Sequence, residues 1–376
     1  MKKILFVAGD IGGASAQMPV YKKMSALPEK FEARVLVDGG PRAKAQDAWT
    51  KAGVPFATVD PAKKELIASA AQWPDVIISG SCATAYQLES EVVRLAQVAG
   101  KRSVILADHI LSHRYSFFME LKPTNWFAID SAHKEDILSR RPGLKSECVV
   151  VTGQPTYDSL KDILNRKSEI RKKHRSGLGI AEDDYLALYQ STGDKPAHFE
   201  VSLEMVYMGL KTLQRSKQDK LCFLPRLHPK LASSTKCENF TASAYLRVEE
   251  FCKNEKIKVV RADSTQTEEL IAASDLLMCS PATTEGTKAV SLGCVVVFLA
   301  PDTVQYFFEK FLSCPYPFLP QIEKKAAFAV LKYCEVDDVF MASQRYPDEI
   351  LANARNNFSL PEGFAVDNVI NAVNNL

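Results

Sequence analysis

Short apolar runs rich in Val, Ile and Leu alternate along this chain with stretches whose apolar residues recur three or four positions apart. In the first part KILFVAG, ARVLVD, PFATV, DVIISG, SVILAD, WFAID and CVVVTG read as strands. Helices are predicted between them over Ala16–Ala26, Pro41–Ala52, Lys63–Ala71, Ala85–Ala99 and Ala132–Ser139. Continuous apolar strands interleaved with helices imply a parallel sheet covered on both faces. The charged stretch KDILNRKSEIRKKHRSGLGI then breaks the rhythm and reads as a connection between domains. Beyond it the alternation restarts, with strands at YLALYQS, KLCFLPR, IKVVRA, DLLMCS and VVVFLA. The helices predicted there are Phe199–Leu213, Ala242–Asn254, Thr267–Ala273 and Thr284–Leu292. The last part is less regular: a proline-broken EKFLSCPYPFLPQI, helices over Lys324–Tyr333 and Asp337–Ala342, then DEILANARNNF and AVDNVINAVNNL. The expected division is a first domain over 1–155, a linker over 156–182, a second domain over 183–345 and closing helices over 346–376.

Composition narrows the class. With 376 residues, 46% of them hydrophobic and 24% charged, the chain has the profile of a soluble two-domain protein. A formal net charge of +2 argues against a nucleic-acid binder that relies on a basic excess. No apolar stretch approaches the ~18–20 residues of a membrane span, and Ile4 to Ala8 is too short for a signal-peptide core. Nine cysteines without a CxxC pair, several inside apolar runs, read as buried free thiols in a reducing compartment. Metal-ligand spacing is absent, so no metal and no cofactor is expected, and the expected location is the cytoplasm.

In doubly wound folds ligands bind beyond the carboxyl ends of the strands. Five such loops carry candidate chemistry. In AGDIGGASAQ, Gly9, Gly12 and Gly13 allow close backbone approach, but the GxGxxG spacing of a dinucleotide site is missing. In SVILADHILSHRYSFF, Asp108 and His109 directly follow a strand, with His113 and Arg114 shortly after. A His beside an Asp can serve as general base at neutral pH, or the pair can be a helix cap and a surface His. In ALYQSTGDKP, Ser191, Thr192, Gly193 and Lys195 can meet phosphate, or form a polar turn. In FLPRLHPK, Arg226, His228 and Lys230 gather proton-donating groups at a strand end, as a diphosphate requires. In CSPATTEGTK, Ser280, Thr283 and Thr284 either cap a helix or line an anion site at its N-terminus.

On these motifs the chain resembles the GT-B superfamily, in the branch of non-hydrolysing UDP-N-acetylglucosamine 2-epimerases, lipid-A-disaccharide synthases and CDP-glycerol-type polymer transferases. VVVTGQPTYDSL is similar to the segment that closes the N-terminal domain, and RLHPK to the element whose His, here His228, contacts donor phosphate. SDLLMCSPATTEGTKAVSLGCVVVFLA is similar to the donor-site strand, loop and helix, and AVDNVINAVNNL to terminal helices that pack back across the cleft. The resemblance implies an α/β GT-B fold, two doubly wound Rossmann-like domains facing a central cleft. It also implies a nucleotide-sugar donor in the second domain. Two departures stand out. Lys288 occupies the place where many members carry a ribose-binding Glu, with Glu285 one turn earlier, and the epimerase Arg-Pro-Glu loop is replaced by DIGGASAQ.

The expected function is metal-independent transfer of a sugar from a nucleotide-sugar to a saccharide or lipid-linked acceptor in a bacterial cell envelope or capsule. Ser191, Thr192, Gly193, Lys195, Arg226, His228, Ser280, Thr283, Thr284, Glu285 and Lys288 would hold the donor. His109 or Asp108 would be the base, with Gly12, Gly13, His113 and Arg114 on the acceptor side. The alternatives are a sugar-nucleotide 2-epimerase and a non-catalytic nucleotide-sugar-binding protein. A monomer or homodimer, at most attached to the inner face of a membrane, is expected.

Overall fold

The structure is a computed structural model that describes residues 1–40, 43–82, 85–191, 196–227, 240–262, 265–281, 283–311 and 314–376; for 196–198, 240–242 and 311 it describes the backbone alone. The chain forms two compact units, Met1–Ser159 with Leu360–Leu376, and Leu160–Ser359.

Unit 1 is built on seven parallel strands: β1 (Lys2–Ala8), β2 (Phe31–Asp38), β3 (Ala57–Val59), β4 (Val76–Ser79), β5 (Arg102–Leu106), β6 (Asn125–Ala128) and β7 (Val149–Val151). Their order is β3-β2-β1-β4-β5-β6-β7. Period-two alternation sends side chains of one strand to opposite faces. Ile4, Phe6 and Ala8 therefore join a core with the helix Ile11–Ser25 and the terminal helix Ala365–Asn374. Leu5 and Val7 face the helices Lys64–Gln72 and Tyr86–Val98 on the other side. The terminal helix is tied to unit 1 by Lys2 Nζ, which donates to the Val373 carbonyl at 2.9 Å, and by the 2.5 Å Lys23–Asp367 ion pair.

Unit 2 holds six parallel strands: β8 (Tyr185–Gln190), β9 (Leu221–Arg226), β10 (Lys258–Val259), β11 (Leu276–Cys279), β12 (Val295–Leu299) and β13 (Phe328–Val330). Their order is β10-β9-β8-β11-β12-β13. Ala187 and Tyr189 pack with Phe199, Val206 and Leu210 of the long helix Pro196–Lys217.

Five expectations change. The first helix begins at Ile11, not Ala16, because Asp10 caps it: its Oδ1 accepts from the Gly13 N–H at 3.0 Å. Gly12 and Gly13 thus lie in a helix rather than a loop. Residues 328–330 form β13 where the alanine-rich sequence predicts helix over Lys324–Tyr333. Pairing of Val297 with Phe328 on β12 outweighs helix propensity. The helix Asp302–Phe311 was not predicted at all. Finally, the expected linker is partly structural. Its helix Lys167–Gly177 belongs to unit 2, where Arg171 and Arg175 grip Asp275 at 2.6 and 2.5 Å and Lys167 Nζ donates to the Leu292 and Gly293 carbonyls. The closing segment also divides, Pro347–Phe358 with unit 2 and Ala365–Asn374 with unit 1.

All eight cysteines described are free. Among the described residues no helix is long and apolar enough to cross a membrane, and no cluster of His, Cys, Asp or Glu is placed to hold a metal ion.

Candidate functional site

In each sheet the chain leaves its first strand in one direction and later returns to the other side, which opens a crevice at the carboxyl edge between those two strands. In unit 2 the crevice lies between β8 and β11. Gln190 is level with Arg226 on one side and Cys279 on the other, so the loops after β8, β9 and β11 stand side by side. Ser191 and Ser280, both buried, flank the crevice. The Ser191 N–H donates to the Arg226 carbonyl at 3.1 Å, and Arg226 Nη1 donates to the Thr265 carbonyl at 2.7 Å. Thr283 uses its hydroxyl on the Ser280 carbonyl at 3.0 Å and makes no cap bond to the helix Thr284–Ser291. Thr283 thus gives the helix no side-chain cap.

The remaining donor expectations divide. Thr284 and Glu285 sit on the first turn of the helix, with the Thr284 hydroxyl 3.4 Å from the Glu285 carboxylate. Lys288 forms a 2.7 Å ion pair with Glu268. Burial alone would raise Glu268, but the ammonium of Lys288 outweighs it and lowers the carboxyl below its ordinary value. Thr192, Gly193, Lys195 and His228 lie outside the described residues.

In unit 1 the crevice lies between β1 and β4, and three carboxylates converge there. Glu89 is fully buried. Its two oxygens accept from the Gly9 N–H at 3.0 Å and the Cys82 N–H at 2.8 Å, which ties the loop after β1 to the loop after β4. Burial first, and the charge of Asp10 second, hold Glu89 well above the usual carboxylate range. The glycines are explained by this crowding. A Cβ on Gly13 would come within 3.2 Å of Glu89 Oε1, and one on Gly12 within 2.5 Å of Asp108 Oδ2.

Glu89→Gln leaves one acceptor for two N–H groups and should cost about 1–3 kcal/mol of stability. The pH dependence has a definite sign. A carboxyl raised in the folded state contributes stability below its unfolded value of about 4.3 that is lost as pH rises. The gap between wild type and variant in urea unfolding should therefore be widest near pH 4 and narrow as pH rises above it. A gap that widens with pH would show Glu89 to be ionised.

Asp108 follows β5. Its Oδ1 accepts from Ser81 Oγ at 2.5 Å, and Ser81 Oγ in turn accepts from the Asp108 N–H at 3.1 Å. Burial raises the Asp108 carboxyl above its ordinary value, against the bond from Ser81. His109 is oriented differently. The Leu111 N–H donates to His109 Nδ1 at 3.2 Å, which places the proton of the neutral ring on Nε2. In that tautomer the ring offers a donor rather than a base.

His113 and Arg114, expected on the acceptor side, lie in the interior of unit 1, 0% and 3% exposed. Arg114 binds Asp136 through two bonds, Nε to Oδ2 at 2.7 Å and Nη2 to Oδ1 at 2.8 Å. The Ile129 N–H donates to His133 Nδ1 at 3.2 Å, so His133 Nε2 donates to His113 Nδ1 at 3.0 Å. His113 Nε2 then carries its own proton 2.7 Å from Asp136 Oδ2. Burial keeps both rings neutral, His113 pushed down to about 4 and His133 well below its ordinary value. These side chains are buried and hold His113 and Arg114 against the helix Ser131–Arg140.

Sequence reasoning missed Glu89, Ser81, His133 and Asp136. A signal existed for Glu89 alone: it shares the i, i+3, i+4, i+7 stripe of Val92, Val93 and Ala96, where an acid is out of place.

Residues 105–279 match the family model described as CDP-Glycerol:Poly(glycerophosphate) glycerophosphotransferase. No curated protein matches the chain. Among solved structures, the UDP-GlcNAc 2-epimerase from Neisseria meningitidis bound to UDP-GlcNAc aligns over 100% of both chains, with a TM-score of 0.64 and 13% identity. MurG of Acinetobacter baumannii also aligns over 100% of both, with a TM-score of 0.64 and 12% identity. The fold is GT-B. The wall teichoic acid polymerase TagF shares it over 100% of this chain and 89% of its own, with a TM-score of 0.54 and 14% identity. In this GT-B chain the family match spans the Asp108–His109 loop, Ser191 and Arg226, and ends at Cys279, just before Ser280.

Proposed function

We propose that the chain is a transferase that moves a nucleotide-activated group onto a hydroxyl of a cell-envelope polymer. Unit 2 binds the donor and unit 1 carries the base. The observation that carries this reading is the row formed by Arg226, Ser191 and Ser280 at the carboxyl edge of the second sheet, astride the crevice where its strand order reverses. Backbone N–H groups, hydroxyls and a guanidinium in such a row fit a diphosphate. His228, in the RLHPK element, is assigned the same ligand on the resemblance of that motif.

The donor is a nucleotide-sugar or a nucleotide-activated polyol phosphate, and the family match makes CDP-glycerol the first of the second kind to test. In either case the acceptor hydroxyl gives its proton to Asp108 while its oxygen attacks. With a nucleotide-sugar, the new bond forms to the anomeric carbon and the carbon–phosphate bond breaks to release the nucleoside diphosphate. With CDP-glycerol, the new bond forms to the glycerol-bearing phosphorus and the anhydride bond breaks to release CMP. Arg226, and His228 on the resemblance of its motif, stabilise the departing charge.

The loop after β1 supports transfer over epimerase chemistry. It is reduced to Gly9 and Asp10, and Asp10 is spent on capping the helix. Incubation with UDP-N-acetylglucosamine alone should give no 2-epimer by proton NMR. Incubation with CDP-glycerol or a nucleotide-sugar plus a hydroxyl-terminated polymer should release nucleotide in step with polymer growth. Appearance of the manno epimer without acceptor would overturn the transferase reading.

A further inference from the structure

A cavity of about 410 Å³ lies at the amino edge of the second sheet, the end opposite Ser191, Arg226 and Ser280. Its walls come from the starts of β8, β11 and β12 and from the helices beside them. Three cationic side chains line it, Lys167, Arg171 and Lys217, against one carboxylate, Asp275. That carboxylate is already shared. Its Oδ1 accepts from Arg171 at 2.6 Å, and its Oδ2 from Arg175 at 2.5 Å and the Leu186 N–H at 2.8 Å. Helix C-termini gather at this edge, and their carbonyls balance part of the positive charge. Lys167 Nζ donates to the Leu292 and Gly293 carbonyls at 2.7 and 2.8 Å, and Arg171 Nη1 to the Ala273 carbonyl at 3.0 Å. Lys217 has no such role. It has neither a carboxylate nor a carbonyl partner among the described residues, and it lies over the Tyr185 ring, 4.7 Å from the centroid. Val295, Pro347 and Leu351 make the rest of the wall apolar.

We propose that this cavity is an effector site for a small phosphate monoester, whose binding weakens donor binding at the opposite edge of the same sheet. The phosphate lies among Lys167, Arg171 and Lys217, and the carbon body rests on Val295, Pro347 and Leu351. Cationic donors in excess of carboxylate fit a dianion. The volume is that of a small-molecule site, about 300–1,000 Å³, and the apolar wall selects an ester over the bare ion. The two edges are joined by one structural unit. β11 and the helix Thr284–Ser291 are linked by the loop that carries Ser280, and both are fastened at their far ends from the cavity. Arg171 holds Asp275, just before β11, and Lys167 holds Leu292 and Gly293, just after the helix. An ammonium bonds a phosphate more strongly than a neutral carbonyl. Occupancy therefore draws Lys167 away from the far end of a helix about 12 Å long, whose near end borders the donor crevice. The coupling rests on unit 2 binding the donor, as proposed above; the cavity itself does not.

The test uses glucose 6-phosphate as probe, with inorganic phosphate beside it, on wild-type protein and Lys217→Ala. Lys217 is half-buried and supports no backbone carbonyl among the described residues, so the fold is expected to survive. Calorimetry should show glucose 6-phosphate binding to wild type more tightly than inorganic phosphate. Lys217→Ala should lower that affinity about ten- to hundredfold, the loss of one charge-assisted contact. In a second titration, saturating glucose 6-phosphate should weaken CDP-glycerol binding about fivefold or more in wild type and leave it unchanged in Lys217→Ala. The weakening should reach a plateau, since the two ligands occupy different sites. A weakening that grows in proportion to the probe and persists in Lys217→Ala would show competition at the donor row and overturn the proposal. Equal glucose 6-phosphate affinity in wild type and variant would overturn it too, as would CDP-glycerol binding that saturating probe leaves unchanged. Wild-type protein that binds the probe through Lys217 but takes neither CDP-glycerol nor a nucleotide-sugar would remove the donor reading of unit 2, and the coupling with it.

Discussion

Asp108→Asn should lower the rate of transfer by about 10²–10⁴-fold, the contribution of a general base, while leaving donor affinity unchanged. The amide keeps the shape of the carboxyl and can still accept from Ser81 Oγ, but it cannot take a proton. The pH profile carries the stronger evidence. Asp108 must be ionised to act, and burial raises it, so wild-type turnover should climb with pH through a value above the usual carboxylate range and then level off. That acid limb should vanish in the variant. His109 has a separable role. Because its Nδ1 accepts from the Leu111 N–H, its ring proton is on Nε2, and Gln should replace it better than Ala. His109→Gln retaining several times the activity of His109→Ala is the expected result. Asp108→Asn keeping more than half of wild-type turnover would place the base elsewhere, with Asp10 the next group to examine.

Asp136→Ala should destabilise unit 1 by about 3–5 kcal/mol in urea unfolding, the cost of breaking a buried ion pair from one side. Arg114 would be left with its charge buried and its two bonds unmade, and His113 would lose the carboxylate that faces its Nε2–H. Burial works against ionisation of Asp136, but His113 and Arg114 overcome it and hold the carboxyl below its ordinary range. The stability this contributes is present above the unfolded value of about 3.9 and is lost as pH falls through the lower folded value. The wild-type advantage should thus be constant from neutral pH down to about pH 4 and shrink below it. The histidines add to acid sensitivity. Both are neutral when folded, so their contribution is present above about pH 6.5 and is lost as pH falls toward the folded values, about 4 for His113. Asp130, raised to about 7 by burial, acts in the opposite sense, as does Glu89. An Asp136→Ala protein within 1 kcal/mol of wild type would show that the network bears little of the fold.

What the sequence determined by itself was whatever depends on neighbours along the chain. Apolar runs such as ILFVA and VVVFL are legible as buried parallel strands because their burial on both faces leaves no polar position. Their alternation with helices sets the doubly wound architecture of both units, and the loops that carry Asp108, Ser191, Arg226 and Ser280 follow from the strand ends. Tertiary structure decided the rest, where distant residues compete with local preference. The alanine-rich segment at 326–329 prefers helix, yet β12 offers it a ladder of hydrogen bonds. Gly12 and Gly13 read as a loop that lets a ligand approach the backbone, yet they are helical and small because Asp108, from the loop after β5, and Glu89, from the helix Tyr86–Val98, crowd them. Nothing local marks His113 and Arg114 as interior, since only the packing of Asp136 and His133 above β6 and β7 supplies their partners. Lys288 looked free to meet a ligand until Glu268, twenty residues earlier on another helix, was brought to 2.7 Å. Charges and hydrogen bonds act through space over a few ångströms, and the order of residues along a chain carries that distance only where the contact is local.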